Sequence, residues 1–320
     1  MEPSPTRPVA APPNTMRRMT NLRVALTGMT GFIGRATAAS LRASGHHVQG
    51  LVRPGREAAA DDLGAHIVTG TMEDPASHVQ LLDGADVLVH NAVDWQALKA
   101  GDLRRHLDVN LVAGVALLDA AATAGCRIVL ISTVAVHHHM LKQWDGRIDH
   151  MHPSRPSSPY GALKAALEAH CWALHTQSET PVSVLRPSAV YGMDPKANRS
   201  VGWTMIEHLL AGQPFPRPGG GKFVHVDDVA ASIRAAATST TTDLRIHHLV
   251  DCYARWSDWT AMAVRELGLP QTVQHRAPPQ PQNMFDTDDV ERDLGVSLNR
   301  GHAGIGEHIR HLIHAQRGSP

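Results

Sequence analysis

The sequence predicts an α/β fold, a doubly wound parallel sheet with a smaller C-terminal lobe, and three observations indicate it. From residue 21 onward, short apolar runs alternate with helix-like stretches rich in Ala and Leu. A glycine-rich turn directly follows the first of these runs. After residue 186 the alternation loosens, and Pro and Gly concentrate at 214–221. Strands that alternate with helices form a parallel sheet covered on both faces, and 320 residues suffice for such a core.

The individual elements are predicted from the spacing of apolar residues. Apolar runs are predicted as strands at 22–26, 47–52, 65–68, 87–90, 127–131 and 182–185. Stretches with helical spacing are predicted as helices at 32–44, 76–82, 103–124 and 160–176. Gly45 and Gly125 stand where helix C-terminal caps are expected, just before the next strand. A further helix is expected at 227–237 and a further strand at 245–250.

Composition excludes several classes of protein. Acidic and basic residues balance at 30 each, so no excess charge indicates a nucleic acid or an anionic membrane as partner. Cys126, Cys171 and Cys252 fit no zinc spacing, so we expect no metal site and a reducing, cytoplasmic location. No apolar run is expected to reach the roughly 20 residues of a membrane span. Residues 1–20 are Pro-rich and are predicted to be a disordered tail without a secretory signal.

The glycine-rich turn predicts a Rossmann-type dinucleotide site. Its residues, which open the first helix, are Thr27, Gly28, Met29, Thr30, Gly31, Phe32, Ile33 and Gly34. Glycines at this spacing let the chain turn tightly, let a phosphate approach the backbone and let the helix pack on the strand. The helix N-terminus then favours a pyrophosphate. The dinucleotide-binding domain is predicted at 21–190, with 223–250 returning to it, and a smaller substrate-binding lobe at 191–222 and 251–320.

Arg53, at the end of the second predicted strand, bears on which dinucleotide binds. An acidic residue at this position would hold the ribose hydroxyls, whereas an arginine suits a ribose phosphate. Arg53, with Arg56 near it, therefore favours NADP(H), with NAD(H) as the alternative. A second interpretation is that both arginines are solvated loop residues.

Tyr160 and Lys164 are candidate catalytic residues because one helical turn places them on the same face. A cation beside a phenol favours the ionised form and would bring a reference pKa of about 10 closer to neutrality. Such a pair can exchange the proton that carbonyl reduction or alcohol oxidation requires. The spacing is common on helices, so the assignment of this pair as catalytic depends on the motifs around it.

Several further motifs occur in a fixed order between residues 21 and 295. They are Val89-His90-Asn91-Ala92, Asp108-Val109-Asn110, Ile131-Ser132-Thr133-Val134-Ala135-Val136, Leu185-Arg186-Pro187-Ser188-Ala189-Val190-Tyr191-Gly192 and Val224-His225-Val226-Asp227-Asp228-Val229-Ala230. Together with the glycine turn and the Tyr160 to Lys164 segment, they resemble the extended short-chain dehydrogenase/reductase family, also called the NAD-dependent epimerase/dehydratase family.

The resemblance implies roles for individual residues. Thr133 would hydrogen-bond the substrate oxygen, Tyr160 would exchange its proton, and Lys164 would bind the nicotinamide ribose and lower the pKa of Tyr160. Asn110 would support the lysine, directly or through water, or would equally be a buried amide that satisfies its own backbone. The other implied cofactor contacts, besides the glycine turn, are Thr71, Met72, Asn91, Ala92, Pro187 and Val190.

Departures from the family pattern limit the reactions and substrates that the resemblance implies. Thr71 stands where the family usually carries an acid on the adenine side. Ala189 replaces the Asn that grips a sugar-nucleotide diphosphate, and residues 219–222 lack an arginine often found there. Thr133 is not followed by the Asp-Glu pair of the sugar 4,6-dehydratases. The segments 185–192 and 219–230 look more like the dihydroflavonol-reductase and hydroxysteroid-dehydrogenase branch.

The sequence therefore predicts an NAD(P)-dependent oxidoreductase. It would transfer a hydride between NADP(H) and a small or moderately lipophilic carbonyl or alcohol, with Tyr160 as acid/base. Two alternatives stay open: a nucleotide-sugar epimerase or reductase with tightly bound NAD, and a non-catalytic NADP-binding redox sensor. The intact Thr133, Tyr160 and Lys164 argue against a sensor, which needs no proton donor beside the nicotinamide.

Two further expectations concern the surroundings of the site. By resemblance, we expect a homodimer formed through the helices at 103–124 and 160–176. His137, His138 and His139 would form a solvated or substrate-edge loop, with His137 best placed to face substrate. Adjacent residues of an extended segment point in opposite directions, so one metal ion cannot easily collect all three.

Overall fold

The computed structural model describes residues 21–137, 142–144, 146–270 and 272–318. The predicted disordered tail at 1–20 lies outside the described residues, as do His138 and His139. The strands of the described part are, in chain order, β1 (Arg23–Thr27), β2 (His47–Val52), β3 (His66–Thr69), β4 (Val87–His90), β5 (Arg127–Ile131), β6 (Arg147–Ile148), β7 (Val182–Pro187), β8 (Ala189–Tyr191), β9 (Gly220–His225), β10 (Arg245–Leu249), β11 (Cys252–Arg255) and β12 (Met284–Phe285).

Helices connect most of these strands. They are, in chain order, α1 (Phe32–Ala43), α2 (Pro75–Leu82), α3 (Trp95–Lys99), α4 (Leu103–His106), α5 (Ala113–Thr123), α6 (Pro159–Ser178), α7 (Trp203–Leu210), α8 (Val226–Thr238), α9 (Trp256–Leu267), α10 (Asp288–Leu294) and α11 (Gly301–Arg317). Gly45 and Gly125 follow α1 and α5 with φ of +82° and +74°. This left-handed conformation suits glycine, so both predicted caps are confirmed.

Seven parallel strands form the main sheet, in the spatial order β10-β7-β5-β4-β1-β2-β3. The chain runs outward from β1 to β3 in one direction and from β4 to β10 in the other, so the strand order reverses between β1 and β4. In open α/β sheets, ligands bind beyond the carboxyl ends of the strands at such a reversal. The predicted fold class, an α/β doubly wound parallel sheet, is confirmed.

Both faces of the main sheet are covered, because alternate residues of each strand point to opposite faces. In β1, Val24 and Leu26 pack with α1 and α8 on one face, whereas Ala25 packs with α2, α5 and α6 on the other. All three side chains are fully buried. Because both faces are buried, the strands appear in the sequence as continuous apolar runs.

A separate hydrophobic cluster is built by α7, α9 and α11 with the three-stranded sheet β11-β9-β8. Trp259 is fully buried in it, with its ring centroid 5.0 Å from that of Phe223 and 5.9 Å from that of Tyr191. Between β9 and β11 in sequence, β10 pairs with β7 at the edge of the main sheet. The C-terminal third therefore contributes both to the main sheet and to a smaller core.

The segment at 103–124 departs from its prediction as one regular helix. It is divided into α4, a π-helical stretch at Leu107–Val112, and α5. Each turn of a π-helix holds an additional residue, which redirects the side chains that it carries. The stretch contains Asn110, so the irregularity lies at one of the predicted site residues.

One helical stretch, Leu103–Thr123, is long and apolar enough to cross a membrane by length and composition alone. The expectation that no segment reaches this length is therefore wrong. Nearly half of the stretch is buried inside the fold, where Leu117, Leu118 and Ala121 pack against the sheet. Because the core helix of a globular domain meets the same criteria, the stretch is weak evidence for a membrane span.

Candidate active site

The glycine turn between β1 and α1 leaves an open helix N-terminus at the carboxyl ends of the strands. Gly28 has a φ of +71°, and a Cβ on it would lie 3.0 Å from the backbone of Ala92. Gly31, the N-cap of α1, provides no side-chain cap, so the first amides of the helix stay available to an anion. The turn therefore fits the diphosphate of a dinucleotide.

Gly34 packs α1 against this turn. A Cβ on Gly34 would lie 2.0 Å from the carbonyl oxygen of Gly28, a backbone atom that cannot move aside as a flexible side chain would. We expect Gly34→Ala to destabilise the protein by at least about 1–3 kcal/mol and to weaken dinucleotide binding. Thermal unfolding and NADPH titration measure the two effects.

Gly306→Ala, on α11, is the matched control for Gly34→Ala. The nearest neighbour of its added Cβ would be Sδ of Met262 at 3.9 Å, an ordinary contact distance. This control should leave dinucleotide binding unchanged and raise stability slightly, because alanine favours a helix over glycine. Equal losses in the two variants would contradict the packing argument.

Thr27, the last residue of β1, fixes the loop that follows β4. Its hydroxyl oxygen accepts hydrogen bonds from the backbone amides of Asn91 and Ala92, each at 3.1 Å. The same oxygen lies 2.9 Å from Nδ1 of His90, and because both its lone pairs are used, the hydroxyl donates to that nitrogen. Burial, together with the charge of Lys164, lowers the pKa of His90 to about 3, so the ring is neutral and can accept. These bonds join the two halves of the sheet where the strand order reverses.

A cavity of about 490 Å³ opens at the carboxyl ends of β1, β2, β4, β5 and β7. The predicted site residues in its wall are Thr27, Gly28, Thr30, Gly31, Phe32, Ile33, Arg53, Met72, Asn91, Ala92, Asn110, Thr133, Tyr160, Lys164, Pro187 and Val190. Gly34 lies behind the wall, as its packing role requires. Thr71 also lies outside it, because its amide donates to Oγ of Ser77 where the chain turns toward α2. The expected contact of Thr71 with a cofactor is therefore not supported.

Thr133 and Tyr160 are brought together by the close packing of α6 on the segment after β5. Ser158 caps α6, and its hydroxyl accepts from the amide of Gly161 at 3.1 Å, which places Tyr160 in the first turn. A Cβ on Gly161 would lie 2.4 Å from the carbonyl oxygen of Ala135. Because glycine permits this approach, the side chain of Thr133 lies close enough to the Tyr160 hydroxyl to lower its pKa.

The ionisation of the pair differs from its prediction. Burial raises the pKa of Tyr160 to about 12, and the side chain of Thr133 offsets this rise only in part. Lys164 is not among the groups that lower this pKa, and its Nζ donates to the carbonyl oxygen of Ile131 at 2.7 Å. Burial also lowers the pKa of Lys164 to about 8, against the opposing effect of the Glu168 carboxylate. The expectation that the lysine lowers the pKa of the tyrosine is wrong for this structure.

Asn110 holds the loop after β4 by direct hydrogen bonds. Its Oδ1 accepts from the amide of Asp94 at 2.7 Å, and its Nδ2 donates to the carbonyl oxygen of Asp94 at 3.0 Å. Nδ2 also donates to Nδ1 of His106 at 3.0 Å. Neither the expected direct bond to Lys164 nor a bond to its own helix backbone is among the described contacts of Asn110. Its observed role is to position a loop that lines the cavity.

Arg53 and Trp95 meet at Asp94 on the rim of the cavity. The guanidinium of Arg53 is more than half exposed, and its Nη1 lies 3.3 Å from Oδ2 of Asp94. Asp94 also caps α3, whose first residue is Trp95. The ring centroid of Trp95 lies 4.6 Å from that of Tyr160, so the indole covers the phenol. Trp95 is not among the predicted site residues, and its only signal in the sequence is an aromatic residue soon after β4.

A buried charged network lies next to the cavity, and its residues are not among the predicted site residues. Arg186, on β7, donates through Nε and Nη2 to the two carboxylate oxygens of Glu168, at 3.0 and 2.6 Å. The hydroxyl of Ser132 donates to the same carboxylate. Because Ser132 immediately precedes Thr133, the network fixes the segment that carries the predicted catalytic hydroxyl. The available sequence signal is Glu168 itself, one helical turn after Lys164.

His137 belongs to this network and is not a solvated loop residue. It is buried, and its Nε2 lies 2.9 Å from Nη1 of Arg186 and 3.1 Å from Nε2 of His248. Burial and the Arg186 charge lower the pKa of His137 to about 3, so its ring is neutral. Among the described residues, no group of three or more His, Cys, Asp or Glu side chains is arranged to hold a metal ion.

Similarity to known proteins covers most of the chain. Residues 24–248 match the model of the NAD dependent epimerase/dehydratase family. A 3-diazoavenalumate denitrifying reductase from Streptomyces sp is 27% identical over 296 residues, which are 89% of this chain and 95% of the relative. A UDP-glucose 4-epimerase from Mycolicibacterium smegmatis is 30% identical over 236 residues, 67% of this chain and 73% of the relative. The solved structure of MoeE5 in complex with UDP-glucuronic acid and NAD shares the fold, with a TM-score of 0.75 and 23% identity over 92% of this chain and 99% of that chain.

Proposed function

The chain belongs to the NAD dependent epimerase/dehydratase family, and on that premise we propose that it is a reductase that exchanges NADP(H) with each turnover. It is an NAD(P)-dependent enzyme of the extended short-chain dehydrogenase/reductase type, and its relatives include a reductase and an epimerase. The proposed reaction transfers a hydride between NADP(H) and a small or moderately lipophilic carbonyl or alcohol.

The observation that carries this proposal is that Thr133 and Tyr160 lie side by side in the wall of the cavity. The dinucleotide, when bound, supplies or accepts the hydride. Thr133 orients the substrate oxygen, and Tyr160 transfers a proton to or from it. Lys164 uses one of its three N–H donors on Ile131 and keeps two for the nicotinamide ribose.

The pKa of Tyr160 determines which protonation state the phenol has at neutral pH. With this pKa raised to about 12, the phenol is protonated near neutral pH and is ready to donate to a carbonyl oxygen. Oxidation of an alcohol needs the phenolate, whose fraction grows only as the pH rises toward that pKa. At neutral pH the Tyr160 phenol is therefore in the protonated form that carbonyl reduction requires.

A nucleotide-sugar epimerase with tightly bound NAD is the second candidate, and a UDP-glucose 4-epimerase is among the relatives. Ala189 and the segment at 219–222 carry neither the Asn nor the Arg that the resemblance associates with diphosphate binding. Each charge-assisted hydrogen bond to a diphosphate contributes about 1.5–3 kcal/mol, so their absence favours a substrate without one.

A panel of aliphatic and aromatic aldehydes and ketones tests the proposed function, with NADPH absorbance as the readout. We expect oxidation of NADPH with at least one lipophilic carbonyl. Purified protein that retains NAD through dialysis and converts UDP-glucose would favour the epimerase instead. NADPH binding without turnover of any carbonyl or nucleotide sugar would favour a redox sensor.

Arg53→Gln is expected to lower NADPH affinity about tenfold and to leave NADH affinity nearly unchanged, since only NADPH carries the ribose phosphate that the guanidinium would pair with. Fluorescence titration of both cofactors measures this. Arg104→Gln is the matched control, because Arg104 is highly exposed on α4 and pairs with Asp108. Equal binding of NADH and NADPH by the wild type, or equal losses for both in Arg53→Gln, would refute the preference.

A further inference from the structure

A second cavity, of about 310 Å³, adjoins the candidate site at Ser188, which lines both cavities. Val134 and Ala135, the two residues after Thr133, form part of its wall. Another part comes from β6 and β12, through Ile148 and Phe285. The second cavity therefore lies directly beside the segment that carries Thr133.

Lys222, on β9, brings a positive charge to this second cavity. Its Nζ donates to Oδ1 of Asn283 at 2.7 Å and lies 5.4 Å from the ring centroid of Phe285. In the described part of the chain, no carboxylate forms an ion pair with Lys222 at 4.0 Å or less. His137, which also lines the cavity, is neutral for the reason given above.

The surroundings of Lys222 favour an anionic ligand. The side chain is half-buried, and burial lowers its pKa because the ammonium loses part of its hydration. The bond to Oδ1 of Asn283 uses one of the three N–H donors of the Lys222 ammonium and leaves two for a ligand. Val134, Ala135, Ile148 and Phe285 make much of the remaining wall apolar. An apolar body with one anionic end complements this arrangement.

We propose that Lys222 determines substrate specificity by binding a carboxylate carried by the carbonyl substrate. The inference rests on the proposed function, because it places the reacting carbonyl beside Thr133 and Tyr160. A carboxylate complements the cavity better than a phosphate or diphosphate does, because Lys222 is the one lysine or arginine among the described residues of its wall. Phosphate sites commonly combine several cations or a series of backbone amides.

Titration calorimetry of the NADP⁺-saturated protein tests the binding step without turnover. The probes are arylcarboxylates paired with their neutral amides, namely benzoate with benzamide and cinnamate with cinnamamide. We expect one carboxylate at least to bind about tenfold more tightly than its amide, the size of one charge-assisted hydrogen bond. Lys222→Met should abolish this difference, whereas Lys196→Met, at an exposed lysine, should preserve it. Equal affinity within both pairs, or a preference that survives Lys222→Met, overturns the proposal.

Turnover separates a failure of this inference from a failure of the proposed function. The substrates are 4-formylbenzoate and its methyl ester, with NADPH absorbance as the readout. A higher kcat/KM for the acid than for the ester supports both the Lys222 inference and the reductase function, provided that Lys222→Met removes the difference by raising KM for the acid. Equal reduction of acid and ester that Lys222→Met does not change overturns the Lys222 inference and leaves the reductase intact. Carboxylate binding that depends on Lys222 without any reduction supports the site and contradicts the reductase. UDP-glucose binding that depends on Lys222 overturns both.

Discussion

Tyr160→Phe is expected to lower NADPH-dependent carbonyl reduction by about 10²–10⁴-fold while leaving NADPH affinity nearly unchanged. The substitution removes the only atom of the side chain that can give a proton to the substrate oxygen, yet it keeps the aromatic ring that packs against Trp95 at 4.6 Å between centroids. Thr133 keeps its bond to the amide of Ala135, so the segment after β5 should stay in place. Steady-state rates and fluorescence titration of the same samples measure turnover and binding separately.

Tyr253→Phe is the matched control for this variant. Tyr253 lies on β11, and its hydroxyl donates to the carbonyl oxygen of Pro278 at 3.3 Å, away from the cavity wall. It should retain the wild-type rate. A wild-type rate in Tyr160→Phe would remove Tyr160 from the proposed mechanism, whereas loss of NADPH binding would show that the phenol has a structural role.

Glu168→Gln is expected to lower the free energy of unfolding by about 3–5 kcal/mol, because it leaves the Arg186 guanidinium buried without a counter-ion. The two side chains are 5% and 4% exposed, so water cannot replace the lost partner. His137 and His248 cannot replace the carboxylate, because a histidine ring is neutral or positive and supplies no negative charge. Urea unfolding, analysed for both the midpoint and the slope, measures the loss.

Glu73→Gln provides the comparison on the protein surface. Glu73 pairs with Arg105 at 2.6 Å, but the two side chains are 38% and 55% exposed. An exposed pair of this kind contributes about 0–1 kcal/mol, so this variant should unfold almost as the wild type does. If Glu168→Gln cost no more than Glu73→Gln, the buried network could not be what fixes the segment at Ser132.

Most of the main sheet can be predicted from the sequence because its strands are buried on both faces. The ends of β2, β4 and β5 coincide with the predictions at 47–52, 87–90 and 127–131. The observed β1 and β3 are each shifted by one residue, because ladder hydrogen bonds rather than apolar character define the ends of a strand. The division of the segment at 103–124 by a π-helical stretch has no signal in its apolar spacing.

The candidate site is predictable only where its residues lie close together in sequence. The glycine turn and the helical spacing of Tyr160 and Lys164 are local patterns, and the structure brings them to one cavity. Lys222 and Asn283 are 61 residues apart, and Arg186 and Glu168 lie on different elements. No local sequence pattern therefore predicts either contact. Thr71 shows the converse, since its position in a motif does not bring it to the cavity wall.

By itself, the sequence determines the doubly wound α/β fold, the turn suited to a dinucleotide and the placement of Tyr160 and Lys164 on one helical face. These properties follow from residues within a few turns of one another and from which runs are apolar. Only the tertiary structure decides the ionisation of the pair, because burial raises the pKa of Tyr160 to about 12 and β5 supplies the carbonyl of Ile131 that engages Lys164. The tertiary structure also decides the environment of Lys222, because the burial of its ammonium and its hydrogen bond to Asn283 depend on packing between distant segments.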